Sequence, residues 1–161
     1  MNPTVYRLSS AAAAAVMLVG LIASIVIGGC DELIPTDSGG MPMRCHWTFL
    51  AAAAVFAAGT LAALAQLLPV FATSRPARLF AALTTVLLAL IAAWLPSPWG
   101  IGICAAPGMG MAHCGEGGMD CHLSAPIVWV CAALLVVIAV VQLVMARPDA
   151  KKLPRIDDFR A

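Results

Sequence analysis

Charge is what this chain has least of. Only 11% of its 161 residues are charged, against 62% hydrophobic, and no water-soluble domain tolerates that balance on its surface. Four apolar windows, Leu8 to Gly29, Trp47 to Phe71, Leu79 to Leu95 and Pro126 to Ala146, hold no charged residue at all. With a net charge of +1 and no basic stripe, nothing speaks for nucleic acid as a partner. Ionisable groups at membrane depth, which proton and ion pathways use, are missing as well. The polar side chains of note inside the windows are Thr60, Gln66, Thr84, Thr85 and Gln142. Isolated residues of that kind serve more often as helix-to-helix hydrogen bonds, which argues against a free-standing pump or transporter.

Short motifs are absent too, and each absence removes a chemistry. There is no C-x-x-C, so the usual low-pKa redox pair is lacking. Without C-x-x-C-H there is no covalent haem attachment, and the spacing of thiols and imidazoles matches no established zinc framework.

What is present is a chain built for a bilayer. A span needs about 20 apolar residues, and backbone amides in lipid must be satisfied within the segment, so the four windows are expected to be helices. The expected fold is an all-α integral membrane domain over residues 1–146. Its spans are 8–29, 47–71, 79–95 and 126–146, its outer loops 30–46 and 96–125, and residues 147–161 form a cytoplasmic tail. The alanine and glycine of "AAAAVFAAGTLAALA" suit close helix packing. Eight of the nine basic residues lie in the N-terminal tail (Arg7), the middle loop (Arg75, Arg78) and the C-terminal tail (Arg147, Lys151, Lys152, Arg155, Arg160), and only Arg44 lies elsewhere. By the positive-inside rule both termini face the cytoplasm of a multi-pass protein of the cell (inner) membrane. Trp47, Trp94, Trp99 and Trp129 then fall near the outer helix ends, as an aromatic belt does. The tail, mixed in charge and broken by proline, is expected to be solvated and to touch anionic lipid or a cytoplasmic partner.

The two outer loops resemble each other. "IGGC", Ile27 to Cys30, aligns with "IGIC", Ile101 to Cys104. "GGMPMRCHWT" aligns with "GGMDCHLS", pairing Met43 with Met119, Cys45 with Cys121, His46 with His122 and Thr48 with Ser124. A parallel duplication of one helix hairpin accounts for all four spans. Thr48 and Ser124 are expected to cap the second and fourth helices. A basic start, an apolar run and "IGGC" also resemble a lipoprotein signal with Cys30 lipidated, but Cys104 ends the second copy without any such signal.

All three histidines (His46, His113, His122), five methionines (Met41, Met43, Met109, Met111, Met119) and Cys30, Cys45, Cys104, Cys114 and Cys121 lie in or beside the outer loops, with Cys131 two turns into the last helix. Disulfides alone are one reading, stabilising by about 2 to 4 kcal/mol each. The repeat suggests Cys30 with Cys45 and Cys104 with Cys121, leaving Cys114 and Cys131, though six cysteines allow about 15 pairings. Disulfides do not explain the neighbouring histidines. Thiolate, thioether and imidazole together suit copper(I), and thiolate with imidazole suits zinc. A metal or haem site is therefore the second reading, with His46, His122, Cys45, Cys121, His113, Met43 and Met119 as candidate ligands and a pseudo-two-fold axis bringing His46 towards His122. A third makes the cysteines catalytic, on the four-helix plan of quinone-linked membrane thiol oxidases, whose C-x-x-C this chain lacks. The weight falls on a non-enzymatic accessory or sensor-like subunit.

"MRCHWT" after the first span, "IGIC" after the third and "MDCHLSAP" opening the fourth resemble the domain-of-unknown-function 4418 family of small bacterial and archaeal membrane proteins. The resemblance covers nearly the whole chain except its tails. It marks Cys45, His46, Cys104, Cys121 and His122 as signature positions, and it implies an export-type permease as a candidate partner; a second copy of the chain, as a homo-oligomer, is the other candidate. It assigns no activity. The segment "MGMAHCGEG", with His113 and Cys114, departs from the minimal pattern.

Overall fold

In a computed structural model, which describes residues 3–28, 33–36, 39–42, 44–97, 99–101 and 121–146, the apolar windows are helices. Helix α1 spans Pro3–Val26, α2 Arg44–Ala65, α3 Pro69–Thr73, α4 Arg75–Trp94 and α5 Cys121–Met145. Four of them, all but α3, are long and apolar enough to cross a membrane. Between α1 and α2, strands β1 (Leu33–Thr36) and β2 (Gly39–Pro42) pair antiparallel, Leu33 opposite Pro42. The sequence reading contained no strand.

Helix ends differ from the expected ones, and the reasons are local. α2 begins before Trp47, and α5 at Cys121 rather than Pro126. Thr48 and Ser124 therefore sit inside the first turns instead of capping them. Pro126 lies inside α5, where it withholds the N–H that residue 122's carbonyl would receive and crowds that carbonyl with its ring. α2 stops at Ala65, short of Phe71, because Pro69 forces Leu68 into an extended conformation (φ −62°, ψ 145°). The chain then restarts as α3 and, through Pro76, as α4.

The bundle is a ring. α1 packs along α2 and α4 along α5, and the pairs meet through α1 against α5 and α2 against α4. The core is small-residue packing around a few large side chains. Ala13, Ala52, Ala63, Ala89 and Ala92 are buried with Met17, Phe49, Phe56 and Leu135, while Leu18, Ile22, Leu61, Leu83, Leu87 and Val137 point outward. Large residues outside and small inside is the pattern of helices that pack by van der Waals contact within lipid.

Gly28 ends α1. It has φ +59°, and its N–H reaches back to the Ala23 carbonyl at 3.2 Å. An L side chain in that left-handed conformation costs about 1 to 2 kcal/mol. A Cβ there would meet only ordinary contacts, the nearest at 3.5 Å, so the penalty is conformational. Gly28→Ala is expected to lower the thermal midpoint in detergent by about 2 to 6 °C, and Gly28→Asn by less. Equal shifts for the two would show that space, not conformation, selects glycine.

Candidate functional site

Hydrogen bonds between helices fix which helix ends lie together. The Ser124 hydroxyl, in the first turn of α5, donates to the Gly28 carbonyl at the end of α1 at 2.8 Å. The Trp129 indole N–H, one turn further along α5, donates to the Ala93 carbonyl near the end of α4 at 3.1 Å. The starts of α2 and α5 therefore share one end of the bundle with the β1–β2 hairpin. Both Cys-His pairs open helices there: Cys45 and His46 in α2, Cys121 and His122 in α5.

Adjacent residues of one pair face different surroundings. Cys45 is 1% exposed and belongs to the apolar core with Phe49 and Ala52, whereas His46 is half-buried. The His46 ring meets the exposed Trp47 ring edge to face, centroids 5.7 Å apart and planes at 88°. At this position of α2 the thiol takes the inward direction and the imidazole lies at the edge of the buried stripe. A ligand or redox role for Cys45 requires the first turn of α2 to open.

The helices that carry the two pairs are not packed along one another. α2 and α5 occupy diagonal corners of the ring, with α1 and α4 between them. Among the described residues no three His, Cys, Asp or Glu side chains come together to hold a metal ion, and neither Cys45 nor Cys131 is in a disulfide. Cys30, Met43, Cys104, His113, Cys114 and Met119 lie outside the described residues, as do the cytoplasmic tail and the pairings proposed for those cysteines. For Cys121 and His122 the described part is the helix that carries them. Cys131 is buried and lines an apolar groove of about 410 Å³ between α1 and α5, with Ala15, Val19, Pro126, Val130 and Leu134. Nothing polar in that lining distinguishes it from a surface for lipid chains.

The opposite end of the bundle holds a polar cluster that the sequence reading named only in part. Gln66 Nε2 donates to Thr85 Oγ1 at 3.3 Å and to the Ala81 carbonyl at 3.5 Å. Gln142 Nε2 donates to Ser9 Oγ at 3.3 Å and to Ser10 Oγ at 3.5 Å. Ser10 in turn directs its hydroxyl towards the Tyr6 carbonyl at 3.1 Å and Gln66 Oε1 at 3.4 Å. The expectation that these glutamines join helices holds. A serine inside an alanine-rich run gives no signal of its own, so the part taken by Ser9 and Ser10 shows only in the packed bundle. Thr60 and Thr84 only bond back to their own helix, at the Phe56 and Phe80 carbonyls.

The family model described as "Domain of unknown function (DUF4418)" matches residues 12–145. No curated protein and no solved structure matches the chain significantly.

Proposed function

The chain belongs to the DUF4418 family, and from that premise we propose that it is a non-enzymatic accessory or sensor-like subunit, built from two duplicated hairpins. Its Cys-His end faces outward and offers its side chains to a metal, haem or protein partner, an export-type permease among the candidates. The observation that carries this reading is the division of polar groups between the two ends. At one end the glutamine amides are joined across the helices to serine and threonine hydroxyls, and at the other an imidazole stays half-exposed beside an exposed indole.

Orientation follows from the basic residues. Arg7, Arg75 and Arg78 lie at the glutamine end, as do the helix ends that lead to the basic C-terminal tail, so that end belongs in the cytoplasm. The motif end then meets an oxidising exterior, where disulfides from Cys30 to Cys45 and from Cys104 to Cys121 would stiffen the loops. The thiol of Cys45, free and buried in this structure, would need to be reached once to close such a latch, whereas the rival reading, a quinone-linked thiol oxidoreductase, needs it reached at every turnover. His46 and His122 are the donors this reading favours, with copper, zinc or haem iron as the ion.

Metal and haem content of the protein purified from membranes, compared with that of the His46→Ala/His122→Ala variant, tests the site. Loss of a ligand is expected to lower bound metal by about tenfold or more. Metal content and co-purifying permease that are both unchanged in the double variant would overturn the proposal.

A further inference from the structure

The motif repeat pairs Cys45 with Cys121 and so sets an offset between α2 and α5 without reference to packing. Carried down both helices, that offset matches buried position to buried position: Thr48 with Ser124, Ala52 with Val128, Phe56 with Ala132, Ala63 with Ala139, and Gln66 with Gln142. For α1 and α4 the match is one of burial, at an offset of 75, one residue from the 74 that aligns "IGGC" with "IGIC". Tyr6, Ser10, Ala14 and Met17 correspond to Ala81, Thr85, Ala89 and Ala92, all buried. A half-turn that exchanges α1 with α4 and α2 with α5 therefore maps one buried face onto the other. It also carries the α2–α4 seam onto the α1–α5 seam.

The hydrogen bonds obey the same exchange. Gln66 of α2 donates to Thr85 of α4, and its counterpart Gln142 of α5 donates to Ser10, the counterpart of Thr85, in α1. Both hydroxyls sit against the carbonyl four residues earlier, Ser10 against Tyr6 at 3.1 Å and Thr85 against Ala81 at 3.0 Å. The exchange breaks at one atom: Gln66 Oε1 has Ser10 as a donor, whereas Gln142 Oε1 is buried without a partner among the described residues. An interface that a two-fold rotation maps onto itself is isologous, the kind that joins identical subunits.

We propose that each hairpin carries a self-complementary association surface whose fitting partner is another hairpin of its own kind, and that Gln66 and Gln142 are two copies of one clamp that registers the pair. This rests on the duplication reading and is independent of any role of the histidines. The glutamine amides find their partners across the seam, so each glutamine fixes the vertical position of the facing hairpin. The order of the hairpins along the chain is then immaterial, because the end of α5 already lies against the start of α1 as the end of α2 lies against α4.

Two measurements test this. In the full chain, Gln66→Leu and Gln142→Leu are expected to lower the thermal midpoint by similar amounts, about 2 to 4 °C each. A shift from one with none from the other overturns the clamp. In a permuted chain, residues 74–161 followed by 1–73, a Gln66→Cys/Thr85→Cys pair is expected to cross-link as fully as in the native order, read by mass spectrometry of the joined peptides. If the permuted chain inserts and the cross-link is lost, or if it fails to insert while the glutamine shifts are unequal, the proposal falls. Unequal glutamines leave metal content at the histidines untouched, so failure here is distinct from failure of the outer-face role.

Discussion

Replacing Gly20 with valine is expected to be the most damaging single change in the transmembrane bundle, lowering the thermal midpoint by roughly 5 to 10 °C. At Gly20 the backbone of α1 lies directly against Phe56 of α2, and a Cβ built there would stand 2.5 Å from the Phe56 ring. That ring is fully buried in the core, so it has no open space to swing into, and the helices must part. Parting two close-packed helices forfeits the dispersion contacts that hold them, and lipid supplies no hydrophobic drive to restore them. Gly59 is the internal control. Its added Cβ would meet Met17 at 2.6 Å, but the far end of a methionine moves cheaply, and Gly59→Ala should shift the midpoint by less than about 3 °C. Pairing Gly20→Val with Phe56→Leu should recover part of the loss. If the pair is worse than Gly20→Val alone, the close approach is not what glycine is there to permit.

Ser10→Ala is expected to follow, lowering stability by about 1 to 3 kcal/mol. The hydroxyl serves both glutamines, accepting from Gln142 and facing Gln66 Oε1. Its removal leaves Gln66 Oε1 with no donor among the described groups, and leaves Gln142 Nε2 with Ser9 alone. Bonds of this kind inside membrane proteins average nearer 0.6 kcal/mol, so most of the cost is the polar atoms left stranded. The asymmetry can be read directly: Ser10→Ala combined with Gln66→Leu and Gln142→Leu should be more stable than a sum of the three single losses. Additivity in unfolding titrations would show that the three side chains do not act as one cluster.

How far the fold could be read in advance depended on the kind of signal. The spans were legible because charge is excluded from them, and that signal extends over whole helices. Their ends were not, since Thr48 and Ser124 carry cap signals that fall inside the helices and Pro69 breaks a run whose composition never changes. The Cys-His motif was legible as a place but not as a geometry. Whether Cys45 or His46 turns inward is settled by the phase of α2 against its neighbours, which composition does not encode. Gln66 and Gln142 stood out as polar side chains in an alkane background and were read correctly as joining helices. Tyr6 and Ser10 complete their cluster yet look ordinary in sequence, because their role is set by what faces them across the seam.

The seam between α1 and α5 is fastened near both of its ends, by Ser124 on Gly28 and by Gln142 on Ser10, and its apolar hollow lies between the fastenings. A strut pinned top and bottom cannot swing open like a door. Pressure from the surrounding acyl chains can only bow α1 and α5 at mid-height, so bending stiffness, rather than a hinge, governs how this side of the protein yields.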